Sequence, residues 1–332
     1  MLALFRNNQV TTALMIALFT GLIRMPALMG FISPDTTPVD GAGNLYLLLF
    51  GWASNAPFLS ALVSAILVFI QALLMNWMVN TSRVNPERNW LVPLFYVLAM
   101  SCVADFQFLS PPLVAATFFP IVYRLIFDIY KSSSITLITF DAGVLLATAA
   151  LFYVPIIWLL PIGLLSILHL RSIKTRDIMV FLLGAFVPGF IGWSIAVWFD
   201  QGAEFRREQF RVLFEFWDFN LDFSLVTIAQ IGLLILLLMI VLFSYNIYYF
   251  KRLIQVQKYN NIFYWLIFAV IISILLRNQP QIEHFLLAGT GISTFLALTF
   301  QSMRNKAIAE VLFLALVVLS LTVMFLDKIL GI

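Results

Sequence analysis

The chain has 332 residues, of which 62% are hydrophobic and 11% charged, and its formal net charge is +3. A soluble domain carries about twice that charged fraction, so the composition excludes an ordinary soluble protein. The basic residues form no patch or stripe of the kind that binds nucleic acid, so we expect no nucleic-acid partner. The single cysteine, Cys102, excludes an internal disulfide framework and a thiolate metal cage.

Long uncharged segments divide the chain. No charged residue stands between Asp40 and Arg83, or between Asp141 and Arg171. A bilayer core of about 30 Å needs roughly 20 apolar residues per helix. Backbone groups in lipid must be paired within their own segment, so these runs are predicted to be helices. We therefore predict an all-α, polytopic integral membrane protein whose spans, in chain order, cover about 10–31, 57–80, 90–104, 112–130, 138–153, 156–170, 178–199, 223–246, 262–277, 284–302 and 309–327.

The fifth and sixth predicted spans leave the count between ten and twelve. Pro155 and Pro161 lie at their junction. A proline removes a helix hydrogen bond and bends the chain. The pair could therefore form one broken helix, two short helices or a re-entrant pair.

The basic residues also predict an orientation. With Arg6 in the cytoplasm and eleven spans, every inner loop contains Lys or Arg, whereas the first two outer loops contain none. This is the positive-inside pattern, with the N-terminus cytoplasmic and the C-terminus outside. Residues 1–332 then form one transmembrane domain with two outer-face segments, at about 32–56 and 200–222. In the first, Leu45–Trp52 could lie along the interface, and the second has the apolar spacing of an amphipathic surface helix.

Acidic and basic residues recur on this predicted outer face. An arginine fork binds a lipid-linked phosphate well, and sugar transfer needs a carboxylate that deprotonates the nucleophile. Carboxylate oxygens also suit Mg²⁺ or Mn²⁺, for which Asp40 and Asp105 are the candidate ligands, although no cofactor is required by the sequence. The alternative is that the arginines extend to the headgroups and the acids are merely solvated. The candidate catalytic carboxylates are Asp35, Asp40 and Asp105. The candidate phosphate ligands are Arg24, Arg206 and Arg277.

Two further polar features fall within predicted spans. Arg124 and Asp128 are four residues apart and are predicted to form an intrahelical ion pair. Gln71, in an otherwise apolar span, is predicted to hydrogen-bond a neighbouring helix rather than a ligand.

The order of these segments resembles that of an uncharacterised bacterial family of polytopic inner-membrane proteins. The resemblance rests on DTTPVDGAGNLYLLLF, LSPPLVAATFFPIVYRLIFDIYK and QPQIEHFLLAGTGISTFLAL. More distantly, the chain is similar to the GT-C superfamily of polyprenyl-phosphate-sugar-dependent glycosyltransferases. That resemblance implies a catalytic acid in the first outer loop, where Asp40 and then Asp35 are the nearest matches, although the superfamily's Asp-Glu pair is absent. It also implies substrate-binding residues, for which the matching positions are Tyr46, Gln281, Glu283 and His284.

Two functions follow as hypotheses. The first is a GT-C-like glycosyltransferase that moves a sugar from a polyprenyl-phosphate carrier to an acceptor on the extracytoplasmic face of the bacterial inner membrane. The alternative is a non-catalytic assembly subunit or a lipid or solute translocase. Membrane lipids are partners in both hypotheses, and the sequence names neither a sugar, an acceptor nor a protein partner.

Overall fold

The structure, a computed structural model, describes residues 2–6, 9, 11–33, 41–85, 87–132, 135–172, 174–211, 224–245, 253–275 and 281–326. Within these ranges the regular structure is helical, and one isolated β-bridge joins Ala42 to Tyr153. The prediction of an all-α chain is confirmed. The helices are α1 (Leu2–Arg6), α2 (Thr11–Leu28), α3 (Asn44–Phe50), α4 (Pro57–Thr81), α5 (Leu91–Ala99), α6 (Pro111–Ala116), α7 (Phe118–Asp128), α8 (Thr136–Phe152), α9 (Leu160–Leu170), α10 (Thr175–Trp198), α11 (Gly202–Arg211), α12 (Leu225–Phe243), α13 (Ile254–Leu275), α14 (Gly289–Ser302) and α15 (Lys306–Met324).

Seven helical segments in the described ranges are long and apolar enough to cross a membrane. Two of the seven segments each consist of two consecutive elements. One is α6 followed by α7, and the other is the 3₁₀ turn Ile282–Ala288 followed by α14. Two shorter apolar segments, Thr136–Phe152 and Val154–Leu170, fall below that length. The protein is therefore a helical membrane protein, and the count of eleven spans stays a prediction. The seven segments are α2, α4, α6–α7, α10, α12, Ile282–Ser302 and α15.

The fifth and sixth predicted spans are two short helices, α8 and α9. The 3₁₀ turn Val154–Leu159 separates them, and both prolines stand at the starts of elements rather than inside a helix. Proline is tolerated there because the first N–H groups of a helix have no intrahelical acceptor. Arg171 Nη1, just after α9, donates to Ser132 O, just before α8, at 2.6 Å. The residues just before α8 and just after α9 therefore lie side by side.

A largely non-helical segment, residues 100–110, replaces the end of the third predicted span and separates it from the fourth. It contains only the short 3₁₀ turn Ala104–Gln107, and nearly all of it is buried. The preceding helix α5 has nine residues, which is about 14 Å at 1.5 Å per residue. Irregular backbone at membrane depth is tolerated only where protein surrounds it. The segment must therefore find its hydrogen-bond partners inside the helical bundle.

Hydrogen bonds between distant elements define one end of the bundle, which we call the Arg6 end. Trp90 N–H donates to Phe5 O at 2.8 Å, and Arg6 Nη2 donates to Phe300 O at 3.2 Å. The N-terminal helix, the start of α5 and the end of α14 therefore meet there.

The opposite end, which we call the Tyr46 end, contains α3 and the junction of α8 with α9. Gly43 N–H donates to Phe152 O at 2.9 Å, and Val154 N–H donates to Gly41 O at 2.9 Å. A Cβ at position 43 would overlap Leu151 O, so this close approach requires glycine.

Helices α8 and α10 pack through glycines. A Cβ at Gly143 would overlap Phe181 O, and a Cβ at Gly184 would overlap Phe140 O. Small residues at such positions let helix backbones approach closely, which is how helices associate in lipid. Most of α10 otherwise faces outward.

Both predicted polar contacts within the spans are confirmed. Arg124 and Asp128 form an ion pair on α7. Gln71 of α4 donates through Nε2 to Leu113 O and to Thr117 Oγ1, both at 2.8 Å, and accepts from the Tyr96 hydroxyl at 3.0 Å. These bonds tie α4 to the elements on either side of residues 100–110.

Candidate functional site

Seven of the ten predicted site residues lie in the described ranges. Asp35, Asp40 and Arg277 lie outside the described residues, so their predicted roles stay predictions. The other seven are Arg24, Tyr46, Asp105, Arg206, Gln281, Glu283 and His284.

Arg24 is completely enclosed by protein, with 0% of its surface exposed. Its five N–H groups donate to Ser101 Oγ at 2.9 Å, Ser64 Oγ at 2.6 Å, Gln107 O at 3.1 Å, Met100 O at 2.7 Å and Phe106 O at 2.8 Å. A guanidinium has only five donors, so none remains for a phosphate. The structure therefore corrects the prediction that Arg24 binds the carrier phosphate, and it equally excludes an arginine that extends to the headgroups.

Arg24 holds the largely non-helical residues 100–110 inside the helical bundle. Ser64 Oγ also donates to Gln107 O at 2.6 Å, and Gln107 Nε2 donates to Ser101 O at 2.9 Å. Asp105 is half-buried in the 3₁₀ turn that this network fixes. Arg24 thus orients the segment that carries Asp105.

Tyr46, predicted to bind substrate, is buried and its hydroxyl donates to Leu109 O at 3.1 Å. Burial raises the pKa of the Tyr46 hydroxyl, so the group remains a donor in this bond. The contact fixes α3 against the end of the 100–110 segment. In this structure Tyr46 is a structural contact, and its substrate-binding role stays untested.

Gln209 of α11 joins the first predicted outer segment to the second. Its Oε1 accepts from Asn44 Nδ2 at 3.2 Å and from Asn44 N–H at 3.4 Å, while its Nε2 donates to Ala150 O at 2.9 Å. Asn44 Nδ2 also donates to Phe205 O at 3.1 Å. The prediction of a helix in 200–222 is confirmed for Gly202–Arg211, and residues 212–222 lie outside the described part of the chain.

His284 is buried beside Tyr153, where its Nδ1 lies 2.8 Å from the tyrosine hydroxyl. The same Tyr153 forms the β-bridge with Ala42, so the end of the first outer segment and the 281–288 turn meet at this tyrosine. Gln281 and Glu283 are half-buried in or next to that turn. Tyr153 therefore connects His284 to Ala42, which is two residues after Asp40 in the sequence.

Arg206 lines a groove of about 480 Å³ at the Tyr46 end. We call it the α10 groove, because α10 forms one wall and α8, the following 3₁₀ turn and α11 form the rest. Its lining is apolar except at one end, where Arg206 and Gln209 stand. The apolar walls include Ala147, Leu151, Phe186, Gly189, Phe190 and Trp193.

The walls of the α10 groove are open to the surroundings of the bundle. Phe186 is 63% exposed and Phe190 is 49% exposed. The groove is therefore accessible from the membrane, and its apolar length ends at a cationic side chain.

No metal centre is supported by the described residues. Within them, no group of three or more His, Cys, Asp or Glu side chains could hold a metal ion. Of the two carboxylates that the sequence offered for Mg²⁺ or Mn²⁺, Asp105 alone is described. We therefore derive no chemical step through a metal.

Sequence reasoning missed Gln209, Tyr153 and the α10 groove. Gln209 lies among charged residues that look solvated, and Tyr153 lies in an apolar run. The one available signal for the groove was the set of small residues at Gly143, Ala147 and Ala150, which share a face of α8. That spacing does not reveal which helix packs there.

Residues 41–332 match the family of unknown function DUF6427. The chain belongs to that family. The matched region contains the groove, Tyr46 and His284, and it begins one residue after Asp40. No curated protein and no solved structure matches the chain.

Proposed function

We propose that this DUF6427 protein is a GT-C-like glycosyltransferase of the bacterial inner membrane. It would transfer a sugar from a polyprenyl-phosphate carrier to an acceptor on the extracytoplasmic face. Eleven spans with a cytoplasmic N-terminus would put the Tyr46 end on that face, because the charge pattern favours the Arg6 end inside.

The α10 groove is the observation that carries this proposal. A polyprenyl phosphate is a long apolar chain with an anionic end, and the groove is a long apolar surface with Arg206 at one end. An arginine fork matches the geometry of phosphate oxygens. A groove open to lipid also lets the carrier enter sideways from the membrane without passing through water.

The groove is physically coupled to the segment that would supply the catalytic base. Gln209 lines the groove and accepts two hydrogen bonds from Asn44, which is four residues after Asp40 in the sequence. Asp40 is the proposed base, with Asp35 or Asp105 assisting, and Arg277 is the proposed second phosphate ligand. Gln281, Glu283 and His284 are the proposed substrate contacts. Arg24 has no part in this site.

Carrier binding is tested with a photoactivatable polyprenyl phosphate and the full-length protein in nanodiscs. We expect Arg206→Gln to reduce crosslinking to peptides of α8 and α10. Arg207→Gln is the matched control, since Arg207 is an exposed neighbour on the same helix that does not line the groove. Equal loss in both variants would reject a specific site at Arg206.

Catalysis is tested separately with Asp40→Asn. We expect this variant to retain crosslinking and thermal stability but to lose transfer from polyprenyl-phosphate-linked sugars. A variant that transfers sugar at the wild-type rate would reject Asp40 as the base.

A second candidate, a lipid translocase or assembly subunit without catalysis, is favoured by the same groove, because holding a lipid there requires no carboxylate. The two functions are distinguished by the transfer assay with the wild-type protein. Specific carrier binding at Arg206, with no transfer by the wild-type protein from any polyprenyl-phosphate sugar supplied, would select the second.

A further inference from the structure

A second concave site lies at the Arg6 end, on the side of the bundle where α4 ends and α5 begins. Its volume is about 550 Å³. Neither the catalytic proposal nor the groove involves it. We call it the Trp77 pocket, and its lining includes Leu73, Trp77, Asn80, Arg83, Arg88 and Trp90.

Along α4 the Trp77 pocket is lined by the apolar side chains of Leu73 and Trp77 and by Asn76 and Asn80, whose amides hydrogen-bond each other at 2.7 Å. Leu73, Trp77 and Asn80 are spaced three and four residues apart, so they share one face of the helix. The helix rises by about 12 Å from Leu73 to Thr81, which is eight steps of about 1.5 Å. An amphiphile lying along this face would have its chain against Leu73 and Trp77 and its polar end beyond Asn80.

Two arginines stand at the polar end of the pocket without ion-pair partners. In the described part of the chain, neither Arg83 nor Arg88 forms a salt bridge or a side-chain hydrogen bond, and both are exposed. Glu87, between them in the sequence, does not line the pocket, and its carboxylate accepts from Gln301 Nε2 at 3.4 Å. Two positive charges thus line a concave surface with no described carboxylate to neutralise them.

A third arginine, Arg124, contacts the pocket residue Trp77 and already has an ion-pair partner. Arg124 is ion-paired with Asp128, and its guanidinium lies 5.7 Å from the centroid of the Trp77 ring. This cation–π contact fixes the Trp77 indole in the lining of the pocket.

Arg83 occupies a backbone conformation that normally calls for glycine. Its φ is 56°, and Val84 N–H donates to Val79 O at 3.1 Å, which is the Schellman arrangement at the end of α4. An arginine in the left-handed region is strained relative to glycine. Backbone strain of this kind clusters at functional sites, where the position of the side chain is needed for function. The left-handed backbone fixes the direction in which the Arg83 side chain leaves the end of α4.

Trp90, at the start of α5, also lines the pocket. Its indole Nε1 is buried and finds no hydrogen-bond acceptor among the described residues. Because that atom is inaccessible, Trp90 lines the pocket through its other atoms and offers no donor to a ligand.

We infer that the Trp77 pocket binds the phosphate headgroup of an anionic phospholipid from the leaflet at the Arg6 end. Leu73 and Trp77 favour a lipid over a free phosphate ester, because they extend the headgroup site along α4 toward the bilayer core. Basic pockets beside transmembrane helices bind anionic headgroups by this charge complementarity. The inference goes beyond the proposed transferase and does not depend on it.

The test is native mass spectrometry of the full-length protein, titrated with phosphatidylglycerol and, separately, with phosphatidylcholine. We expect preferential binding of phosphatidylglycerol, weakened about fivefold by Arg83→Gly and by Arg88→Gln, which is the factor for ~1 kcal/mol per basic residue at an anionic lipid. Arg83→Gly also relieves the left-handed strain, so its melting temperature should equal or exceed that of the wild type. Loss of binding in this variant therefore cannot come from unfolding.

Lys306→Gln is the matched control, since Lys306 is exposed and begins α15 at the Arg6 end but does not line the pocket. Unchanged phosphatidylglycerol binding in this control, with Arg83→Lys retaining affinity, supports the inference. An equal loss in Lys306→Gln would overturn it in favour of bulk surface charge. Competition by glycerol 3-phosphate at equal concentration would overturn the lipid assignment in favour of a soluble phosphate ester.

Discussion

Arg24→Lys is the sharpest perturbation of this fold. Lysine keeps the positive charge and the aliphatic stem, so the cost of burying a charge is retained. An ammonium group has three donors where the guanidinium has five, so at least two of the five acceptors around position 24 must lose their bonds.

The expected loss of stability follows from those unpaired acceptors. Within the described residues, Met100 O and Phe106 O accept no bond other than that from Arg24, whereas Gln107 O keeps its bond from Ser64. A buried carbonyl left unpaired costs about 1–3 kcal/mol. Two such carbonyls give about 2–6 kcal/mol, concentrated on residues 100–110.

The chain contains its own reporter of this segment. Cys102 is the single cysteine of the sequence, is 1% exposed and donates through Sγ to Ala99 O at 3.2 Å. A thiol-reactive fluorophore therefore labels only molecules in which the segment has opened. A destabilisation of ~2 kcal/mol, the lower bound, raises the open population and the labelling rate about 25-fold.

Arg206→Lys is the control, because Arg206 is exposed and its replacement should leave labelling unchanged. If Arg24→Lys labels Cys102 at the wild-type rate and melts at the wild-type temperature, the five bonds do not hold the segment, and our reasoning about Arg24 is refuted.

Two further predictions concern packing and buried polarity. Gly184→Ala should lower the stability by about 1–3 kcal/mol, because its Cβ would overlap Phe140 O, whereas Gly189→Ala on the same helix meets nothing within 4 Å and should melt like the wild type. Equal melting temperatures for both variants would contradict the close approach of α8 and α10. Tyr153→Phe should cost about 1–3 kcal/mol by removing the hydroxyl 2.8 Å from His284 Nδ1, and an unchanged thermal melt in nanodiscs would contradict it.

The helices were predictable, and so were contacts between residues close in sequence. Arg124 and Asp128 pair because a helix brings residues four apart together, whatever surrounds it. Gln71 was recognisable as an interhelical donor because a lone amide in an apolar span must find a partner. Neither inference needed to know which helices are neighbours.

Arg24 shows where such inference ends. From the sequence, an arginine near a helix end resembles a ligand or a headgroup contact. Its acceptors lie 40 to 83 residues away, on α4 and the 100–110 segment. Gln209 is similar, since it contacts Asn44 across 165 residues.

By itself the sequence determined that this chain is built from apolar helices that can cross a membrane, and which of its residues carry charge. The physical reason is that lipid offers no hydrogen bonds, so each long apolar run must satisfy its backbone locally as a helix. Tertiary structure alone decided what the polar residues do. Which helices pack together depends on the shapes of side chains far apart in the sequence, such as Gly143 against Phe181. That packing buries Arg24 and leaves Arg206 at the end of an open groove.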